Sequence, residues 1–189
     1  MNKRVLITAG VVAVALSAGV STALASNDAS GPQRIGQANL VDPAGSPLGS
    51  VQLIEQSGKL NVMGKVNGLT AGFHGFHIHE VGECVGSSTL PFSSAGGHLS
   101  APGVGHPGHA GDMPAMLVGR DGTAQASFTT DRVTLAEILD ANGSAIIVHA
   151  DPDNYANLPT RYAPAGPDET TLATGDAGGR IACGVVTEP

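Results

Sequence analysis

Residues 72–80 read Gly72-Phe73-His74-Gly75-Phe76-His77-Ile78-His79-Glu80. A β-strand alternates its side chains between two faces, so His77 and His79 point the same way while His74, three positions before His77, points the other. That parity selects two candidate ligands and one bystander. Two polar residues on a solvent-facing strand would give the same pattern, so the decision rests on the rest of the chain.

Working outward, short runs of alternation are broken by Gly, Pro, Asn and Asp. They predict eight strands, at residues 37–41, 50–55, 59–66, 73–79, 116–119, 123–129, 145–149 and 181–186. Residues 135–140 predict one helical turn, and nothing supports a long helix. Many short strands with regular turn signals indicate an all-β sandwich or barrel. Aromatic residues make up only 3% of the chain, so Val, Ile, Leu and Ala must fill the core. Two long segments, 80–115 and 150–180, interrupt the rhythm. Each begins directly after a histidine-bearing strand, and long irregular segments in a compact domain are usually functional or disordered.

The chain of 189 residues suits one domain. It opens with Met1-Asn2 and the basic pair Lys3-Arg4, runs apolar from Val5 to Val20, and reaches small residues at Ala23-Leu24-Ala25. This is the pattern of a secretory leader over 1–25, with an uncleaved membrane anchor as the alternative. Residues 26–33 form a polar linker, and 34–189 the domain. Loss of Lys3 and Arg4 leaves seven cationic side chains against sixteen acidic ones, a formal charge of −9. Nucleic acid and anionic membrane are disfavoured as partners at that charge. The two cysteines, Cys84 and Cys183, would meet an oxidising compartment after export. Paired, they close a loop of roughly 100 residues, for which chain entropy gives on the order of 4–5 kcal/mol.

All seven histidines, His74, His77, His79, His98, His106, His109 and His149, lie between positions 74 and 149. The first long loop reads SAGGHLSAPGVGHPGHAGD and adds Asp112. Its Gly and Pro residues let the backbone bend so that distant side chains meet. Several imidazoles converging with one carboxylate point to a transition-metal site.

On these residues the chain resembles the copper/zinc superoxide dismutases of the bacterial exported type, from about Gly36 to Val186. The matching stretches are GFHGFHIHE, SAGGH ending at His98, HAGD at 109–112, AIIVHADPDN at 145–154 and GDAGGRIACGV at 175–185. The resemblance implies a flattened eight-stranded Greek-key barrel with two functional loops. It implies copper on His77, His79, His98 and His149, and zinc on His98, His106, His109 and Asp112, with His98 shared. His74 would brace the site without touching metal, and Asp153 would link His77 to His106. Arg180 would draw in superoxide beside the copper, held there by a Cys84–Cys183 bridge. The implied reaction converts two superoxide anions to dioxygen and hydrogen peroxide in the cell envelope, and a homodimer is compatible with it.

The chain departs from the family at the zinc loop, where only Pro107 and Gly108 separate His106 from His109. A copper-only enzyme therefore stands beside the two-metal reading. A copper-buffering envelope protein without turnover is a further alternative, against which Arg180 argues because a buffer has no use for a cation over the metal. A plain interaction module with incidental histidines is the third.

Overall fold

A computed structural model describes residues 33–87 and 89–189. The expected leader and all but Gln33 of the linker lie outside the described residues. Within them the strands are β1 (Arg34–Val41), β2 (Pro47–Gln56), β3 (Lys59–Val66), β4 (Gly72–His74), β5 (Phe76–His79), β6 (Met116–Val118), β7 (Ala124–Thr130), β8 (Ala145–His149) and β9 (Arg180–Thr187). Seven form one antiparallel sheet in the order β5-β8-β9-β1-β2-β3-β7, and β4 pairs with β6. Because β4 runs into β5 and β6 packs beside β7, the sheet curls round on itself as a barrel. No helix among the described residues is long and apolar enough to cross a membrane.

The expected strand over 73–79 is divided at Gly75. Its N–H donates to Asp151 O (2.9 Å) and its carbonyl accepts from His149 N–H (2.8 Å), so it leaves one ladder to bind the second loop. A Cβ at this position would stand 2.6 Å from Ala177 Cβ, which explains the glycine. Counted as one bent stave, β4 and β5 give the eight expected.

Alternation does the packing. In β3 the residues Leu60, Val62 and Val66 are buried between exposed Lys59, Met63 and Lys65. They join Ala38 and Leu40 of β1 and Val51 and Leu53 of β2 inside the barrel. β8, Ala145-Ile146-Ile147-Val148-His149, is buried along its whole length, as expected of a strand covered on both faces. Ile146 and Val148 enter the main core. Ala145 and Ile147 face outward into a smaller cluster with Phe92, Ala95 and Cys183 beneath the first long loop. The disulfide Cys84–Cys183, with Cα atoms 5.7 Å apart, pins that loop to β9.

The helical turn expected over 135–140 is α1 (Leu135–Ile138), closed by a capping box between Thr134 and Glu137. Two elements were not expected, a short 3₁₀ turn at Ser93–Ala95 and α2 (Glu169–Thr174). The signals for α2 are local: Asp168 caps Thr171 N–H, and Gly175 ends the helix in the left-handed region, as such caps do.

Candidate metal centre

The site lies on the outer face of β5 and β8, beneath both long loops. His77 and His79 leave β5 on the face opposite the core residues Phe76 and Ile78, and His149 ends β8 alongside them. The first loop is laid against β5 by isolated bridges, His79 to His98 and His77 to Asp112. His74, His77, His79, His98, His106, His109 and His149, together with Asp112 and Asp153, are buried.

His77, His79, His98 and His149 form one set whose donor atoms lie within 4.8 Å of one another. His79 Nε2 and His149 Nε2 are 3.3 Å apart, long for a direct hydrogen bond and short enough for both to ligate one ion. Their other nitrogens are occupied: His79 Nδ1 faces Gly96 O (3.0 Å) and His149 Nδ1 faces Gly178 O (3.1 Å). His77 Nδ1 and His98 Nε2 are buried without any hydrogen-bond partner. Burying a polar nitrogen unpaired is costly, and a bound metal removes that cost.

The second set converges on Asp112 Oδ1, which lies 2.7 Å from His98 Nδ1, 3.0 Å from His106 Nδ1 and 3.2 Å from His109 Nδ1. His98 Nδ1 and His109 Nδ1 are 3.3 Å apart. A tetrahedron with bonds of about 2.0 Å has edges of about 3.3 Å, so these spacings fit three nitrogens and one oxygen around zinc. His106 Nδ1 makes no hydrogen bond despite its closeness to Asp112, since in the neutral ring the proton sits on Nε2, which donates to Asp153. His77 also approaches His98, His106 and Asp112. Its Nε2 is taken by Asp153, leaving Nδ1 alone to give, so we place His109 in this set and His77 in the first. The two-residue spacer does not keep His106 from His109.

Asp153 binds the two sets together. Its Oδ2 accepts from His77 Nε2 and its Oδ1 from His106 Nε2, both at 2.8 Å. This fixes the tautomers that leave each Nδ1 free for metal. His74 stands apart from both sets, with its nitrogens 2.7 Å from His149 O and 2.9 Å from Thr70 O. It ties the strand entry to the end of β8.

Electrostatics favour neutral, metal-ready rings at His79, His98 and His149. Burial, reinforced by neighbouring imidazoles, pulls His98 down to about 4 and His149 down to about 3. It also pulls His79 well below the usual range, with help from His98 and Arg180. For His106 burial acts downward but is outweighed by Asp112 and Asp153, which raise it to about 9. Burial disfavours the Asp112 and Asp153 carboxylates, yet hydrogen bonds from the histidines, His106 first, hold both well below the ordinary range.

Arg180 pairs in register with His149 at the start of β9. Its guanidinium donates to Phe92 O (2.5 Å) and Gly96 O (2.6 Å). Gly96 O also accepts from His79 Nδ1, so a single carbonyl links the cation to the first donor set. Phe92 belongs to the cluster clamped by the disulfide, which couples the bridge to the position of Arg180.

Comparison with known proteins agrees with this geometry. The family described as copper/zinc superoxide dismutase (SODC) matches residues 48–186. The chain belongs to the copper/zinc superoxide dismutase family. It is 48% identical over 131 residues to a superoxide dismutase (Cu-Zn) of Mycolicibacterium paratuberculosis, covering 62% of this chain and 57% of that one. It is 34% identical over 164 residues to a superoxide dismutase (Cu-Zn) of Deinococcus radiodurans, covering 79% and 82%. The chain spans little more than half the length of its mycobacterial relatives. Among solved structures it is similar to a SOD-like protein from Bacillus subtilis, with TM-score 0.61, 31% identity, and coverage of 79% of this chain and 96% of that one.

Tyr155 went unnoticed in the sequence. Its ring lies nearly parallel to His106, at 6.3 Å and 15°, and its hydroxyl accepts from Ala115 N–H at 2.7 Å. The available signal was slight: one of only two tyrosines, placed two residues after Asp153.

Proposed function

We propose that the protein is an exported superoxide dismutase holding copper in the first donor set and zinc in the second. The observation that carries this reading is the pair of buried donor sets sharing His98 through its two nitrogens, with Arg180 anchored beside them. Copper supplies one-electron redox chemistry when bound, so that one superoxide is oxidised to dioxygen and a second is reduced to hydrogen peroxide.

His77 Nδ1, His79 Nε2, His98 Nε2 and His149 Nε2 would hold it. His98 Nδ1, His106 Nδ1, His109 Nδ1 and Asp112 Oδ1 would hold zinc. When not ligating, His98 Nε2 would carry one of the two protons that reduction of superoxide to hydrogen peroxide consumes, water supplying the other, while its Nδ1 keeps the ring in place. Arg180 attracts and orients the small anion against the protein's net negative charge. The more distant carboxylates weigh less, because their fields are screened beyond about 10 Å at 0.1 M salt.

Arg180 favours an enzyme over a copper store. The compact spacing of the second set favours two metals over copper alone. The leader pattern and the disulfide support export to the cell envelope or beyond. The site is complete within one chain, and a homodimer is compatible with it.

Superoxide consumption by the copper- and zinc-loaded full chain tests the reading. Activity is expected in the parent chain and none in His149→Ala. A metal-loaded parent without turnover would leave a binding protein.

A further inference from the structure

We infer that Tyr155 is a positioning residue for the set formed by His98, His106, His109 and Asp112, holding the His106 ring from the second long loop. The inference rests on the proposed reading of that set as a zinc site. Three contacts of one residue surround the second donor set: one on Asp153, one on the His106 ring and one on Ala115. The Tyr155 backbone N–H donates to Asp153 Oδ1 at 2.7 Å, the oxygen that accepts from His106 Nε2. The phenol ring stands nearly parallel to the imidazole, with ring centres 6.3 Å apart, and flanks it on that side. The hydroxyl takes the Ala115 N–H, anchoring the chain three residues after Asp112. Orientation, tautomer and loop end are therefore held from a single position.

The backbone around Tyr155 is what makes this more than incidental packing. Tyr155 and Ala156 have φ of +55° and +51°, consecutive left-handed conformations that L-residues avoid. Such conformations persist where surrounding structure imposes them, and they concentrate at functional sites. Here Asn154 imposes the turn: its N–H donates to Gly175 O, its Nδ2 donates to Asp176 Oδ2 at 2.6 Å, and its Oδ1 accepts from Ala156 N–H at 2.8 Å. The turn carries Tyr155 away from the core, leaving it 39% exposed, so burial of the phenol is not the reason for its placement. The loop it holds is short between His106 and His109. His106 N–H is itself bound to Leu172 O at 2.7 Å, so the second loop grips His106 at backbone, ring and Nε2.

Tyr155→Gly separates ring from backbone, because glycine adopts the left-handed region freely and the variant loses only the phenol. Tyr155→Phe keeps the ring and drops the Ala115 acceptor. We expect zinc release to a chromogenic chelator from the loaded full chain to be on the order of 10–100-fold faster in Tyr155→Gly, with Tyr155→Phe between the two. In the cobalt-substituted protein the visible bands of the tetrahedral ion should shift in Tyr155→Gly. The melting temperature of the metal-free chain should hold steady or rise. Parental release rates and an unmoved cobalt spectrum in Tyr155→Gly would overturn the inference. So would faster release matched by a fall in the metal-free melting temperature, which would make the role structural only. A parental chain that takes up neither zinc nor cobalt would overturn the zinc reading itself, and the inference with it.

Discussion

Asp153→Asn is the substitution whose consequence follows most directly from the geometry. The carboxylate accepts three hydrogen bonds: His106 Nε2 and Tyr155 N–H on Oδ1, and His77 Nε2 on Oδ2. Asparagine has one acceptor oxygen and an NH₂ group that only donates. Turned so that its oxygen serves two donors, it satisfies His106 and Tyr155 and sets the NH₂ against His77 Nε2. His77 then escapes by moving its proton to Nδ1, the unpartnered atom assigned to copper, or by rotating. Loss of such an outer partner costs about 10–100-fold in metal affinity, or about 1.4–2.7 kcal/mol. The loss should fall more heavily on copper than on zinc, and Asp153→Ala should weaken both. Competition against chelators of graded affinity, one metal at a time, measures this. Affinities within about twofold of the parent, or zinc weakened while copper is untouched, would refute the reasoning.

Arg180→Ala should lower the dismutation rate about tenfold and flatten its dependence on ionic strength; stopped-flow decay of superoxide across a salt series reads both. Replacing Cys84 and Cys183 together by Ser should cost about 2–5 kcal/mol in urea unfolding of the metal-free chain, and no change would remove the bridge from the account of stability. Gly75→Ala would place a Cβ 2.6 Å from Ala177 Cβ, 3.1 Å from His77 Cε1 and 3.3 Å from His149 Cβ. Overpacking of that kind costs about 1–3 kcal/mol, seen as a melting temperature lower by several degrees.

Side chains with a period were legible in the sequence, and backbone roles were not. Alternation of Leu60, Val62 and Val66 against Lys59 and Lys65 marks β3 from residue order alone, and the unbroken apolar run Ala145–Val148 marks a strand. His77 and His79 share a face for the same reason. The division at Gly75 was hidden because it arises from contacts with Ala177 and Asp151 of a loop more than 70 residues away. Gly96 O and Phe92 O, which seat Arg180, carry no sequence signature, since every residue owns a carbonyl. α2 is six residues long, too short to show a hydrophobic stripe, and only its caps announce it. Tyr155 was invisible because its value depends on a left-handed turn that no side-chain pattern encodes.

The central claim is that two metals sit side by side on a shared His98. Anomalous diffraction from crystals of the mature chain, recorded at the copper and zinc absorption edges, tests it most directly. A copper peak is expected among His77, His79, His98 and His149, and a zinc peak among His98, His106, His109 and Asp112. A map with neither peak, or with both metals bound away from His98, would contradict it.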